Sequence, residues 1–449
     1  MRAVHLKLAP FEFVSILEWD GIESIGEHGA LRIKGIIAED NRQKYYQMST
    51  SETWIMARAV DENGEEQILF NGVLTNLSIQ SQHEFHTMEI EIKTGSFLLD
   101  HSQFIRSFQD SGLTLQKIMD DTLSTEKGQV MIHDEQGINS IGGMLLQYHE
   151  TSWQFAKRVA SRFGLPILPE FNTKGRRFYI GLPPKGKLRD ITTTEYQISS
   201  SSQFGRQYSI QQREIYPLGA RYKFDNNEVI VTTAKRHLVG GELINFYTLS
   251  TVIPTHHLQT NHFRISGLSL QATVTDVKND RVQVKLRDDA NQANAGHRWF
   301  NYATVHSTPD GTGWYMMPCV DDEVRLVFPN PNESGAYVAS SVHLETDQAR
   351  INPDHKSWKN PEGMEILFTP DAILVTTNNG TSFEVSDTNG INMTSDKGIT
   401  ISSNNQISLN SGSTISVSAT DQLNIQQQST RIHLQDTIDI SGGKINLNN

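Results

Sequence analysis

Paired carboxylates are the residues of this chain best suited to chemistry, because two carboxyl groups roughly 5 to 10 Å apart can cleave a glycosidic bond. The candidates are Asp436 with Asp439, and the cluster of Asp321, Asp322 and Glu323. The first pair occupies turn-like positions, and the cluster lies between a turn and a strand pattern. The sequence therefore favours structural roles for both sets and keeps a trimeric tailspike glycosidase as an alternative.

Nucleophile and metal chemistry have weaker candidates. His5, His149 and Ser152 form no nucleophile elbow, and no G-x-S-x-G, Walker-type or Cys/His metal spacing occurs. The only cysteine, Cys319, stands between proline and valine, a setting typical of a small core residue. A threefold ring of His433 around a cation is the alternative to a polar or cavity-filling role. We predict no catalytic residue, no cofactor and no metal site.

Composition narrows the classes of partner. The 449 residues carry a net charge of -12 and gather no Lys/Arg stripe, so nucleic acid is a poor candidate partner. One cysteine excludes an intramolecular disulfide. The apolar stretch within the first twenty residues is interrupted by charged side chains, which a signal peptide would lack: Lys7, Glu12, Glu18 and Asp20. We expect synthesis in the cytoplasm without a signal peptide or a membrane-spanning helix.

The spacing of apolar residues predicts a mainly β protein with several folding units. Met88, Ile90 and Ile92 share one face of an alternating run, and many such runs favour barrels. Between residues 111 and 171 the period becomes helical, with Thr114 and either Thr151 or Ser152 as N-caps. The predicted units are a first β barrel (1–105), a helical insert (106–170), a second β barrel (171–262), an OB-fold barrel (263–345), a connector (346–370) and a C-terminal repeat segment (371–449).

The C-terminal segment repeats every eight residues. Polar residues separate pairs of apolar ones at Phe383/Val385, Ile391/Met393, Ile399/Ile401, Ile407/Leu409, Ile415/Val417 and Leu423/Ile425. A short fixed period of this kind marks a repeating β architecture whose units cannot bury their own apolar face. We predict that the core of this segment is formed by Ile391, Ile399, Ile401, Ile407, Leu409, Ile415, Val417, Leu423 and Ile425.

The octad pattern predicts an obligate trimer. Two apolar side chains per eight residues give a lone chain too little burial to offset conformational entropy, roughly 1 to 2 kcal/mol per ordered residue. Three chains wound about one axis would each supply a wall of a triangular prism and pair every strand edge. We therefore predict an intertwined trimeric β-helix needle. Ile445 and Leu447 lie near the last residue, where we predict an interface with a separate tip protein.

The order of these parts resembles that of the VgrG-type spike family, shared by type VI secretion systems, extracellular injection particles and contractile phage tails. The similarity extends over nearly the whole chain. It is carried by SFLLD (96–100), RSFQ (106–109), LQYHETSW (146–153), GGEL (240–243), GWYMMP (313–318) and VASSV (338–342). The resemblance implies that the two β barrels with their insert form a hub, followed by the OB barrel and the needle.

The same resemblance implies a structural homotrimer that does no covalent chemistry. Its hub would present a pseudo-sixfold ring to a hexameric inner tube within a baseplate, and its needle would puncture a membrane. A conical tip protein and effector toxins are the further partners that it implies. The short connector leaves no room for a glycosidase insert, and no fused effector is expected after Leu447. A receptor-binding fibre is the second alternative, although such fibres normally end in a globular head.

Overall fold

The computed structural model describes residues 5–48, 52–82, 85–133, 140–201, 205–253, 263–292, 296–343, 350–434 and 444. The protein is mainly β, as the alternating patterns predict. It divides into two compact units, Met1–Leu344 and Glu345–Asn449.

Most strands of the first unit precede the OB barrel. They are β1 (His5–Ala9), β2 (Ser15–Ser24), β3 (Ala30–Ile37), β4 (Trp54–Val60), β5 (Glu66–Gln82), β6 (Phe85–Thr94), β7 (Gln103–Phe108), β8 (Gln129–Ile132), β9 (Leu145–Thr151), β10 (Ile167–Pro169), β11 (Arg177–Ile180), β12 (Arg189–Asp190), β13 (Tyr196–Ser201), β14 (Gly205–Gln212), β15 (Arg221–Phe224), β16 (Asn227–Val239) and β17 (Glu242–Ser250). The α-helices are α1 (Arg42–Met48), α2 (Leu115–Ser124) and α3 (Ser152–Arg162), with short 3-10 helices at Glu39–Asn41, Gly95–Asp100, Phe263–Ile265 and Glu333–Gly335.

One continuous sheet joins the two β sections of the predicted hub. Its strand order is β1-β4-β5-β6-β3-β2-β16-β17-β14-β13, with β15 on β16 and β12 on β15. The junction is the antiparallel pair β2–β16, which runs from Ser24 opposite Thr233 to Asp20 opposite His237. The sheet therefore couples strands from 1–105 directly to strands from 171–262.

The helical insert follows the capping signals of the sequence. The Thr114 hydroxyl accepts the Lys117 amide, and the Thr151 hydroxyl accepts the Gln154 amide in a full capping box. Both predicted caps are confirmed, with Thr151 rather than Ser152 at the second helix. The predicted apolar stripes are buried in one cluster with Phe108, Phe155 and Phe178. Two short sheets, β7–β9 and β10-β11-β8, pack with the insert, and the second includes β11 from beyond its predicted end at residue 170.

A small closed barrel follows the hub. Its strands are β18 (Leu268–Lys278), β19 (Arg281–Leu286), β20 (Trp299–Ala303), β21 (Glu323–Phe328) and β22 (Tyr337–Ala339), in the order β18-β19-β20-β22-β21. The β18–β19 and β21–β22 pairs are antiparallel, as the two predicted hairpins require. Alternate side chains along each strand fill the interior. This barrel confirms the predicted OB-type unit.

The OB barrel packs directly against the helical insert. Met144 and Leu146 of the insert are fully buried in the same apolar cluster as the barrel interior. Asp289, which follows β19, accepts the Ser107 amide at 3.0 Å. Gln109 donates to a main-chain carbonyl of β19 at 3.1 Å. Insert and barrel therefore share one interior.

A buried ion network adds to this joint. Glu333 of the barrel is fully buried and accepts from Arg158 and Arg162 of α3, each at 2.9 Å. Arg158 also donates to both oxygens of Glu150, at 2.9 and 2.8 Å. The geometry gives each buried charge an opposite partner, which such burial requires.

The C-terminal unit begins with an antiparallel five-stranded meander. Its strands are β23 (Lys356–Lys359), β24 (Glu365–Phe368), β25 (Ala372–Thr376), β26 (Ser382–Ser386) and β27 (Gly390–Thr394), paired in chain order. A hairpin of β28 (Leu423–Gln427) and β29 (Thr430–Leu434) lies further on. The intervening residues 395–422 form no strand within the single chain. The octad pattern predicts paired strands in this segment, and the described part of the single chain supplies no partner strand for them.

Candidate functional site

One face of the C-terminal meander is apolar. Because directly paired residues of neighbouring strands point to the same side, the register aligns two rows across the sheet. We call their apolar members the apolar sheet face: Trp358, Ile366, Val375, Phe383 and Met393 in one row, and Phe368, Ile373, Val385 and Ile391 in the other. The opposite side is mainly polar, with Lys359, Glu365 and Glu384 among its members.

The apolar sheet face is open to solvent in the single chain. Phe383 and Val385 are each 38% exposed, and Ile391 is 68% exposed. Contiguous apolar surface of this extent normally marks an interface. The unit therefore presents a face that a further layer must cover.

The octad residues continue this exposure beyond the sheet. Between 395 and 422 they are all more than half exposed: Ile399, Ile401, Ile407, Leu409, Ile415 and Val417. Polar residues between the pairs make local contacts, such as the Ser403 hydroxyl accepting the Asn405 amide at 3.1 Å. Within the single chain, the apolar side chains of residues 395–422 stay exposed to solvent, and the main chain of this segment has no neighbouring strand among the described residues to pair with.

The remaining predicted core and tip residues lie in three places. Ile391 belongs to β27 at the edge of the apolar sheet face. Leu423 and Ile425 lie in β28; Leu423 is partly buried and Ile425 is 55% exposed. Ile445 and Leu447 lie outside the described residues. Their assignment to a common core and a tip interface stays a prediction.

Sequence reasoning missed part of this surface. Residues 346–370 were expected to be a connector, but they contain β23 and β24, which contribute Trp358, Ile366 and Phe368 to the apolar sheet face. The signal was the short continuous apolar run Ile366-Leu367-Phe368, whose length suits a strand. Pro and Asn residues around it mark turns between strands rather than a structureless link.

The carboxylates of the glycosidase alternative have structural partners. Glu323 accepts the Thr273 hydroxyl at 2.9 Å and pairs with Arg287 at 3.0 Å. Asp322 accepts the Cys319 amide at 2.8 Å, and Asp321 has a positive φ of 73° at the turn. These contacts shape the start of β21. Asp436 and Asp439 lie outside the described residues.

The prediction that Cys319 is a core residue is wrong. Its side chain is exposed and forms no disulfide. It lies in the long loop between β20 and β21, whose local pattern near Pro318 does not reveal which side faces the barrel. Burial at such a position is set by the packing of the whole loop.

Two hub segments singled out in the sequence meet around His28. The imidazole Nδ1 is 2.9 Å from the Ser96 hydroxyl, and Nε2 is 3.5 Å from Asp100. The Thr151 hydroxyl donates to Asp100, and the Trp153 ring lies 4.5 Å from the imidazole. These bonds lower the pKa of Asp100, His28 contributing most.

This Ser–His–Asp order resembles a hydrolase triad only in its connectivity. Ser96 is fully buried, and its hydroxyl also contacts Thr94 at 3.0 Å. A nucleophile needs access to substrate, which Ser96 lacks. The cluster instead ties the turn after β2 to the 3-10 helix at Gly95–Asp100 and to α3.

Metal sites and membrane-spanning helices are two further classes of feature. The described residues contain no group of three or more His, Cys, Asp or Glu residues arranged to hold a metal ion. The helices of the described ranges are all too short or too polar to cross a membrane.

Comparison with known proteins gives the class of this fold. Residues 270–343 match the family model of the type VI secretion system/phage-baseplate injector OB domain. The fold is similar to that of the E. coli c3393 protein, described as a component of the type VI secretion system with structural similarity to the T4 bacteriophage tail proteins gp27 and gp5. That match has a TM-score of 0.51 and 15% identity, and covers 76% of this chain and 100% of the other.

A second similar structure is a chain of the half-lidded Francisella PdpA–VgrG complex. Its TM-score is 0.54 at 8% identity, with 84% of this chain and 83% of the other covered. No curated protein matches the chain by sequence. The OB-domain match and the two folds together support the resemblance drawn from the sequence: the chain has the fold of a VgrG-type spike protein.

Proposed function

We propose that this protein is the trimeric structural spike of a contractile injection machine. The observation that carries the proposal is the exposure of the octad residues in a single chain, at a period of eight that no contact within the chain explains. Three copies around one axis would bring these residues together and give residues 395–422 strand partners from neighbouring chains.

The meander would be the first part of this needle. Three copies of the apolar sheet face, turned towards one axis, form a closed triangular interior without an exposed apolar side. Beyond Thr394, where pairing within the chain ends, the octads would pair between chains. Ile391, Ile399, Ile401, Ile407, Leu409, Ile415, Val417, Leu423 and Ile425 would then form the needle core.

The hub would adapt this threefold needle to a sixfold tube. Its continuous sheet joins two β sections through β2–β16. With one binding face from each section, three chains would offer six. The hexameric inner tube and the baseplate are the partners that this arrangement suits. Ile445 and Leu447 would receive a conical tip protein. The similar Francisella structure is a complex with PdpA, which supports a role in binding a partner protein, and we include effector toxins among the proposed partners.

Electron microscopy of the full-length protein tests this function. We expect a broad base with one axial needle, since three hubs must surround one braided segment. The double variant Ile407→Asp with Leu409→Asp should lose the needle, because six carboxylates cannot share a closed apolar core. The matched control Ser408→Asp changes a residue of opposite orientation and should retain it. Particles located at the periphery of a tail shaft would instead favour a receptor-binding fibre.

A further inference from the structure

The long loop between β20 and β21, residues 304–322, exposes apolar side chains. Val305 is 95% exposed, Tyr315 74% and Met316 53%, and Val320 is also more than half exposed. We call these four residues the loop patch. The loop has internal structure, since the Trp314 amide donates to the His306 carbonyl at 2.8 Å and Ser307 forms a bridge with Gly313.

Charged groups do little to make this loop a polar binding site. Residues 304–322 contain no lysine or arginine. The Asp310 carboxylate accepts the Thr312 amide at 2.9 Å, and the Asp322 carboxylate accepts the Cys319 amide at 2.8 Å. These two acidic groups bind the loop's own main chain, and the third, Asp321, occupies the turn before β21 with a φ of 73°. The loop patch therefore suits an apolar partner surface.

The loop leaves the OB barrel at the same end as the chain itself. β20 runs parallel to β22, with Tyr302 opposite Val338, while β21 runs antiparallel to it. The end of β20, the start of β21 and the end of β22 therefore lie together. The Val342 amide donates to the Glu323 carbonyl at 2.8 Å, which fixes the exit segment beside the end of the loop.

We propose that the loop patch contacts the same loop of a second copy, forming a ring of contacts between OB barrels. This inference rests on the proposed trimer. If three C-terminal segments meet on one axis, the three exit segments converge upstream of it. The three loops emerge at that same barrel end and must surround the point of convergence. At this place a second copy presents its own loop patch, which is apolar like the first. A charged or polar partner would not present such a surface.

Cys319 is a natural probe of this contact, because it is the only thiol, lies within the loop and is exposed in the single chain. The experiment measures its alkylation by a maleimide in the native full-length protein and in the urea-unfolded chain, with the mass determined by light scattering. We expect a native trimer in which alkylation is slower by about tenfold or more than in the unfolded chain.

The double variant Val305→Glu with Met316→Glu separates the loop contact from the needle. It should remain a trimer through its C-terminal segment, yet its Cys319 should react several-fold faster than that of the native protein. The matched control Val305→Leu with Met316→Leu keeps the surface apolar and should retain the protection.

Each outcome of this experiment has one meaning. A trimer whose Cys319 reacts as fast as in the unfolded chain overturns the inference but not the proposed function. Protection that the glutamate variant leaves intact also overturns it, as does protection that appears only after another particle protein is added. A folded monomer contradicts the proposed trimer itself.

Discussion

At the scale of single residues, the joint between the insert and the OB barrel depends on buried charge. Glu333 is fully buried between Arg158 and Arg162. Glu333→Ala would leave Arg158 buried without one of its two carboxylates, so we expect the variant to lose about 3 to 5 kcal/mol of stability. Thermal or urea unfolding of the hub and barrel would measure this loss.

A surface ion pair provides the comparison for that variant. Lys185 and Glu228 are 2.6 Å apart but largely solvated. Glu228→Gln should therefore change stability by no more than about 1 kcal/mol. Equal effects of the two substitutions would show that the buried network does not hold the joint.

At the residue scale, Asp100 makes the stability of the fold depend on pH. The His28 imidazole, whose Nε2 lies 3.5 Å from the carboxylate, and the hydrogen bond from Thr151 hold the pKa of Asp100 below its usual value. A lowered carboxyl pKa stabilises the fold above the unfolded value of about 3.9, and this contribution is lost as the pH falls through the folded pKa. Asp100→Asn should thus be less stable than the native protein at pH 7.

The difference should shrink as the pH falls below about 4, where the unfolded carboxyl is protonated first, and should be lost once the pH has passed the lower folded pKa of Asp100. Urea unfolding at a series of pH values measures it. Asp40→Asn, at an exposed position in the 3-10 helix at Glu39–Asn41, is the control and should change little. A difference for Asp100→Asn that is constant across the series would contradict the linkage.

The sequence predicted local features such as helix caps better than it predicted which residues are buried. Thr114 was recognisable as a cap, and the second cap was narrowed to Thr151 or Ser152, because a cap depends on the following three residues alone. Cys319 was assigned to a core because its neighbours are apolar, and its exposure depends on how a nineteen-residue loop folds. The contacts of His28 join residues up to 125 positions apart, a separation that no local pattern encodes.

At the scale of elements, the octad period itself can be tested by deletion. Removal of residues 407–414 takes out one whole period, so every later apolar pair keeps its orientation. We expect this variant to assemble with a stability close to that of the native protein. Removal of residues 407–413 shifts the later pairs by one residue and turns them to the opposite face.

The seven-residue deletion should therefore lower the melting temperature of the assembled C-terminal segment or prevent assembly. Circular dichroism and light scattering of the two deletion variants measure both effects. If the two variants behave alike, the segment does not use a two-residue alternation within an eight-residue repeat.

At this scale, the sequence predicted individual strands but not how distant strands pair. Alternating runs predicted strands in both hub sections and in the OB barrel, because period-two burial is written in each strand. The β2–β16 pair joins strands more than 200 residues apart, so its existence depends on the whole sheet. β23 and β24 were overlooked since the turns around them resembled a connector.

At the scale of the whole molecule, the two units differ in how far each buries its own apolar residues. The first buries several apolar clusters within one chain. The second leaves its apolar sheet face and octad residues in solvent. The proposed assembly through the repeat would cover the surface that the second unit leaves exposed.

The central claim is that this repeat is completed by two further copies of the chain. Light scattering of the purified full-length protein across the micromolar range tests it most directly. We expect a mass three times the 50.5 kDa of one chain, independent of concentration, together with a fully folded circular dichroism spectrum. A stable monomer in which residues 395–434 are protected from hydrogen exchange would contradict it.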